Sequence, residues 1–148
     1  MDIFQFPNLE YLWIGMRGFE EIPSQIETLK SLTEIDLQHG NLKKLPKEII
    51  NLENLNRITL LWSNIEELPS GLHKMKNLKH LHLGCTQFET IPKELFQMQN
   101  LETLILSHDD ECQEKREVFV ETEISELRNK LLNTKLIIGR RKSTSNNR

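Results

Sequence analysis

The sequence has little of what several common classes of protein need. Its 148 residues include two cysteines, which are too few for a disulfide framework, so a reducing cytoplasm is the simpler expectation. No apolar run approaches the roughly 18 residues that cross a bilayer, which predicts a protein without a transmembrane helix. The start, MDIFQFPNLE, has neither the basic nor the apolar region of a secretion signal, so a cytoplasmic protein with no membrane partner is predicted.

An excess of one charge sign and a glycine-rich loop are also missing. The chain has 19 Lys and Arg against 22 Asp and Glu, for a net charge of −3, which offers no global case for a nucleic-acid partner. Its six glycines form no rich run, and no GxxxxGK[ST] phosphate loop is present. A nucleotide-dependent enzyme is therefore not predicted, and neither is any cofactor.

A fixed period is what the sequence does have. Four of its five prolines lie 23 residues apart, at Pro23, Pro46, Pro69 and Pro92. Leucines on the same period open five successive units, at Leu9, Leu32, Leu55, Leu78 and Leu101. The unit reads LxxLxLxxxxLxxLPxxIxxLxx and is plainest in LTEIDLQHGNLKKLPKEIINLEN. Self-similarity on this scale predicts a stacked repeat.

Each unit combines two local patterns. The LxL alternation has period two, which predicts a short strand with one face inward. Leu45, Ile49 and Leu52 follow at i, i+4 and i+7, which suits a helical turn, and Pro46 suits the start of that turn because it lacks an N–H. No unit buries its apolar stripe alone, so the units must stack to form one core.

These motifs resemble the leucine-rich repeat family, in the 23-residue LPxxI subclass of bacterial proteins and intracellular Ras-associated scaffolds. The resemblance covers roughly residues 3–138. It implies an α/β repeat solenoid, a horseshoe segment whose parallel concave sheet has about five strands, closed by a C-terminal helical cap and a short final strand. The family usually has Asn, Cys or Thr at the ninth position of the unit, where this chain has Arg17, Gly40, Ser63, Thr86 and Asp109. Ser63 and Thr86 can supply the expected bonds to the backbone, but Gly40 cannot and Arg17 is a poor fit, so looser turns are expected in the first two units.

Four regions are predicted along the chain. Residues 1–8 are a partial repeat, 9–106 the repeat array, 107–138 the cap, and 139–148 a disordered basic tail. In the cap, an amphipathic helix is predicted from the apolar residues Val120, Ile124, Leu127 and Leu131, followed by a strand at Lys135–Ile138. The first strand is expected to be an open sheet edge, capable of weak self-association. Either the chain belongs to a longer array, or its MDIFQF segment is a minimal cap.

The concave face is expected to carry the information for binding. In this register positions three, five, seven and eight of each unit point outward, and both tryptophans and four of the five histidines fall in them. The predicted partner-binding residues on this face are Tyr11, Trp13, Met16, Glu34, Asp36, His39, Arg57, Leu61, Trp62, His80, His82 and His108. We interpret them as an aromatic recognition strip with a polar border, because exposed tryptophan is enriched at interaction hot spots. The alternative is that these side chains only pack on one another, or that a neighbouring unit covers Trp13.

Three functions compete. The favoured one is a non-enzymatic protein–protein interaction module, whose partner is a protein or peptide, with a glycan also open. The second is the recognition segment of a longer signalling or effector system, since the family includes repeats joined to GTPase, kinase or ubiquitin-ligase domains. The third, a metal-dependent or cysteine enzyme, rests on His80, His82, Cys85 and His108. It ranks last because their spacing matches no zinc signature and no carboxylate orients a Cys85–His108 pair, so no catalytic or metal residue is predicted.

Overall fold

The computed structural model of the chain describes residues 3–15, 20–39, 41–106 and 119–138, in which short strands and helices alternate. The strands are β1 (Tyr11–Gly15), β2 (Glu34–Gln38), β3 (Arg57–Thr59), β4 (His80–His82), β5 (Thr103–Leu106) and β6 (Lys135–Ile138). The helices are the 3-10 helices η1 (Ile3–Gln5), η2 (Ser24–Thr28), η3 (Lys47–Asn51), η4 (Leu72–Lys74) and η5 (Lys93–Gln97), and α1 (Glu121–Lys130). The strands form one parallel sheet in the order β1 to β6, which confirms the predicted solenoid with its helix and final strand.

The register of the sheet follows the 23-residue period. Ile35 pairs with Ile58, Ile58 with Leu81, and Leu81 with Leu104, so equivalent residues of successive units are direct neighbours. All four are at most 1% exposed. These aligned columns of Leu and Ile form one continuous core, and their burial is the main stabilising term of a stack in which no unit is stable alone.

The return segments are 3-10 helices, which are tighter than the α-helical turn that the spacing suggested. In η3, Ile49 N–H donates to the Pro46 carbonyl at 3.1 Å, and Leu52 N–H donates to the Ile49 carbonyl at 3.1 Å. Both bonds span three residues, the 3-10 pattern, and Pro46 stands before them with extended backbone. This tighter helix still turns Ile49 fully into the core.

Hydrogen bonds tie each unit to the next. The Thr33 carbonyl accepts the N–H groups of both Asn56 and Arg57, at 2.8 and 3.1 Å. Asparagine side chains add a second set of bonds, since Asn54 donates to the Lys30 carbonyl at 2.8 Å and Asn77 to the Glu53 carbonyl at 2.7 Å. The neighbouring units are therefore held in one relative position.

The C-terminal helix covers the last repeat. Ile124 and Leu127 of α1 are buried, as is Leu131 just after it. Val120 is 53% exposed, so its predicted place in the buried stripe was wrong, because it precedes the first helical turn with an extended backbone. In the described part of the chain, no helix is both long and apolar enough to cross a membrane.

The ninth position behaves only partly as predicted. Thr86 Oγ1 donates to the Leu83 carbonyl of its own unit at 3.3 Å. Ser63 is 1% exposed, and its Oγ has no hydrogen-bond partner among the described residues, so it does not supply the expected bond. The other three ninth-position residues, Arg17, Gly40 and Asp109, lie outside the described residues.

Candidate interaction site on the concave sheet face

Two columns of side chains cross the sheet on the side away from the core. The third-position column is Tyr11, Glu34, Arg57, His80 and Thr103, and the fifth-position column is Trp13, Asp36, Thr59, His82 and Ile105. Both columns are partly or largely exposed, whereas the fourth position between them is buried. Strands lie about 4.8 Å apart, so neighbours within a column are in reach of one another.

The indole of Trp13 lies against Gly15, two residues further along the same strand. A Cβ atom at Gly15 would stand 2.7 Å from Trp13 Cη2. Trp13 remains 57% exposed and its neighbour Tyr11 51%, although both are large aromatic residues. Because Gly15 has no Cβ atom, the Trp13 ring can lie against the strand at this point, and more than half of the residue stays exposed to solvent.

Acidic side chains lie beside these aromatics on β2. Asp36 pairs with Trp13 in the register, and its Oδ2 accepts a hydrogen bond from Gln38 Nε2 at 2.8 Å. Its Oδ1 is buried and has no hydrogen-bond partner among the described residues. Glu34 faces Arg57 with 3.7 Å between Oε2 and Nε, and both side chains are nearly half exposed, so this pair contributes about 0–1 kcal/mol.

His39 and Trp62 form the aromatic stack of the eighth position. Their ring centroids are 4.4 Å apart and their planes differ by 18°. Both residues have left-handed backbone, with φ of 56° and 52°, a conformation that is rare for bulky residues. Inter-unit hydrogen bonds hold them there, from His39 N–H to the Leu61 carbonyl at 3.0 Å and from Trp62 N–H to the Gly84 carbonyl at 3.1 Å.

The eighth position is not outward throughout, which corrects one prediction. Cys85 also has left-handed φ, 54°, but it is 8% exposed and forms a disulfide. Its thiolate is therefore not available as a metal ligand or nucleophile. The chain's other cysteine, Cys112, and the predicted site residues Met16 and His108 lie outside the described residues.

The remaining predicted residues lie in the middle of the sheet. His80 and His82 flank buried Leu81 on β4 and share one face, both partly exposed. Leu61 and Trp62 follow the last residue of β3 rather than lying within it. The described residues hold no group of three or more His, Cys, Asp and Glu placed to bind a metal ion.

The whole-chain pattern matches a known family. Residues 1–146 match the profile described as a leucine-rich repeat region. The chain belongs to the leucine-rich repeat family. A search of curated proteins gave no significant match.

Solved leucine-rich repeat structures share the fold. The protein LIC12759 of Leptospira interrogans is 28% identical with a TM-score of 0.75, over 90% of this chain and 32% of that one. The leucine-rich repeat domain of the type III effector XopL is 24% identical with a TM-score of 0.62, over 70% of this chain and 38% of that one. The ectodomain of the Arabidopsis thaliana receptor kinase GASSHO1/SCHENGEN3, solved in complex with CASPARIAN STRIP INTEGRITY FACTOR 2, is 25% identical, with a TM-score of 0.59, over 91% and 16%. The chain thus spans about a third of the length of the first two.

A groove of about 1130 Å³ lies elsewhere on this leucine-rich repeat, and its lining includes none of Tyr11, Trp13, His39 and Trp62. It follows the prolines Pro46, Pro69 and Pro92 and is lined by both lysine and glutamate side chains, such as Lys47 and Glu66. Such mixed charge favours no one class of ligand and is typical of a solvated surface. The concave face therefore remains the stronger candidate site.

Two residues of this leucine-rich repeat shape the site without having been predicted as part of it. Gly15 seats Trp13, and Gln38 holds one oxygen of Asp36. Both stand two residues after the side chain that they contact. Since residues i and i+2 of a strand share a face, this spacing was the signal that could have found them.

Proposed function

We propose that this chain is a non-enzymatic interaction module that binds a protein or peptide through its concave sheet face. The observation that carries the proposal is the exposure of Trp13 and Tyr11 on β1, together with the stacked pair of His39 and Trp62 beyond the ends of β2 and β3. Large exposed aromatics are typical of binding hot spots. The sheet holds them in fixed register, so little side-chain freedom is lost on binding.

The family and its neighbours support a binding role in general terms. Leucine-rich repeats commonly serve as interaction modules, and the matching profile indicates no catalytic family. Among the structural neighbours, the plant peptide hormone receptor RGFR1 was solved in complex with RGF2, with 18% identity and a TM-score of 0.60 over 93% of this chain. At 18% sequence identity the likeness concerns the fold alone and says nothing about which partner binds this chain.

The left-handed backbone at Trp62 adds a second line of support. Sparsely populated conformations cost about 1–3 kcal/mol each and cluster at binding and switch sites. Here the stack with His39 returns about 0.5–1.5 kcal/mol. Keeping a tryptophan at such a position suggests that its side chain contributes something other than stability.

Affinity capture with matched variants tests the proposal. The wild-type chain and variants Trp62→Ala and Trp13→Ala are immobilised, exposed to extract from the source cells, and compared by quantitative mass spectrometry. Glu66→Ala, on the groove side, is the control. We expect a protein retained by the wild type and by Glu66→Ala but reduced at least tenfold on both tryptophan variants. Equal capture by all four folded baits would contradict binding through this face.

A second candidate role is the recognition segment of a longer or multi-component system. It is favoured by the short span of the chain, about a third of the first two matched structures, one of which is a domain of a type III effector. In the multi-component case, a catalytic protein acts in trans and should co-purify with the chain. A purified complex with no enzymatic component would count against this role.

Two finer assignments stay proposals. We assign the repeats to the 23-residue LPxxI subclass, on the support of prolines that stand directly before η2, η3 and η5. We also keep the predicted boundaries of the array, 9–106, and of the cap, 107–138. Weak self-association through the outer edge of β1, which pairs with no strand of the described residues, is a further proposal that sedimentation velocity tests.

Two observations about the cellular compartment of the protein point in opposite directions. The low cysteine content and the absence of a secretion signal in this 148-residue sequence favour the cytoplasm, whereas the disulfide at Cys85 is typical of oxidising compartments. Because Cys85 is buried, source cells are quenched in acid and their free thiols are then alkylated in denaturant, which decides between the two. An alkylated Cys85 supports the cytoplasmic prediction, and a protected one supports an oxidising compartment.

A further inference from the structure

We propose that the part of the concave face formed by β1 and β2 binds a basic, extended segment of the partner, and that Trp13 and Asp36 hold one of its Lys or Arg side chains. This inference rests on the proposed function and specifies the chemistry of the partner. The outward positions of β1 and β2 are occupied by Tyr11, Trp13, Gly15, Glu34, Asp36 and Gln38. They carry two negative charges and no positive one.

The open face of Trp13 suits a cation. The ring lies against Gly15, and Trp13 is 57% exposed, so more than half of the residue is accessible to a ligand. A Lys or Arg cation within about 6 Å of an indole centroid is attracted by the ring, by about 0.5–1 kcal/mol at an exposed site. A neutral apolar ligand would use the ring equally well, so the charge beside it decides.

Asp36 supplies that charge next to the ring. It is the direct partner of Trp13 in the parallel pair β1–β2, and its side chain forms no ion pair with any described residue. Gln38 donates to Oδ2, while Oδ1 is buried without a donor among the described residues, so the charge of Asp36 is only partly compensated there. A cation over Trp13 would stand beside this carboxylate and reduce that deficit.

Glu34 extends the same complementarity along β2. It lies two residues before Asp36 on the same face, which separates the two by about 6.6 Å. Alternate side chains of an extended peptide have the same spacing, so two basic residues in a Lys-x-Lys arrangement can reach both carboxylates. The existing partner of Glu34, Arg57, is weakly bound at 3.7 Å and exposed, so it can be displaced.

The test uses a short acetylated peptide of alternating lysine and threonine, and its counterpart with glutamate in place of lysine. The protein carries Trp62→Phe, which keeps a ring beside His39 and leaves Trp13 as the only indole. Binding is followed at low salt by the NMR signal of the Trp13 indole N–H. We expect the lysine peptide to shift this signal and to bind at least tenfold more tightly than the glutamate peptide, and added salt to weaken it.

Two isosteric variants separate the site from net charge. In the same background, Asp36→Asn should weaken the lysine peptide about tenfold, while Glu66→Gln, which removes one negative charge on the groove side, should leave it unchanged. Asparagine still offers an oxygen to Gln38, so the local structure is kept. The proposal is overturned if the lysine peptide leaves the Trp13 signal unmoved, or if both variants have the same effect. It is also overturned if a neutral oligosaccharide shifts Trp13 and the lysine peptide does not.

The outcome of the peptide test can be told apart from the outcome of the affinity capture that tests the general function. A captured partner that needs Trp62 and Trp13 but binds Asp36→Asn like the wild type would leave the interaction module standing and remove the basic segment. If Trp62→Ala, Trp13→Ala and Asp36→Asn all bound the captured partner like the wild type, both the interaction module on this face and the basic segment would be contradicted.

Discussion

Among single residues, His39, Trp62 and Cys85 are the non-glycine residues of the described chain that adopt a left-handed backbone. Each lies at the eighth position of its unit, where the chain leaves the sheet. None is glycine, which is the residue that adopts positive φ without strain. The chain therefore keeps a large side chain at a costly backbone position, and the cost can be measured.

Substitution of Trp62 by glycine and by alanine measures the free-energy cost of the left-handed backbone at this position. Both changes lose the stack with His39, but only glycine relieves the backbone, so Trp62→Gly should be more stable than Trp62→Ala by about 1 kcal/mol in urea unfolding. At Thr59, inside β3, the order should reverse, and glycine should be less stable than alanine by about 0.5–1 kcal/mol. The same order at both positions would contradict the left-handed assignment.

Gly15 offers a second test at this scale. In Gly15→Ala the new methyl group cannot occupy the space beside Trp13 Cη2, so the indole must leave its seat. With Trp62→Phe in the background, we expect a changed emission maximum for Trp13 and a weaker affinity for the captured partner. The free energy of unfolding should change by less than about 1 kcal/mol, because the ring is exposed already. An unaltered emission spectrum would show that Gly15 does not position Trp13.

At the level of elements, each of the 3-10 helices η2 to η5 turns one isoleucine or leucine into the core while the next residue stays nearer the surface. Ile49 and Ile50 are adjacent in η3, yet Ile49 is fully buried and Ile50 is only partly buried. The sequence has isoleucine at both positions, so composition alone cannot separate them. The 23-residue period does, because Ile49 shares the column of Ile26, Leu72 and Leu95.

The pair makes a controlled test of the core. Ile49→Ala should lower the free energy of unfolding by about 2–5 kcal/mol, the usual cost of a large cavity in a packed core. Ile50→Ala removes the same atoms from the same helix and should cost less than half as much. Equal losses, measured by urea unfolding followed by circular dichroism, would contradict the assigned orientation of η3.

At the scale of the whole molecule, the disulfide at Cys85 is the one covalent constraint seen in the described residues. Closing a loop of the chain restricts the unfolded state and typically adds about 2–4 kcal/mol. A reducing agent should therefore lower the unfolding midpoint of the wild type, whereas the midpoint of Cys85→Ser should not respond to it. A wild-type midpoint that is insensitive to complete reduction would show that the disulfide adds nothing to stability.

Much of this architecture could be predicted because a fixed period in the sequence determines which residues of neighbouring strands are paired in the sheet. The spacing of Leu32, Leu55 and Leu78 was enough to place Trp13 beside Asp36 and Glu34 beside Arg57, which are direct partners in the sheet. The period says which residues are equivalent but not which backbone conformation they share. The left-handed φ of Trp62 and the burial of Cys85 were therefore missed, since neither residue type favours positive φ.

Side-chain contacts set the second limit. That Gln38 bonds Asp36, and that Trp13 folds over Gly15, depends on rotamers that no column pattern contains. The asparagines Asn54 and Asn77 recur on the 23-residue period, but their bonds to the preceding unit became evident only once the turns were in place.

If a partner binds on the concave face of the sheet, photo-crosslinking from that face will capture it. Benzoylphenylalanine is placed at His80, in the middle of the outward third-position column, or at Glu66, on the groove side. With the captured partner purified, we predict a crosslinked complex from the His80 position that excess unlabelled wild-type chain competes away, and none from Glu66. Crosslinking from Glu66 but not from His80 would contradict binding on the concave face.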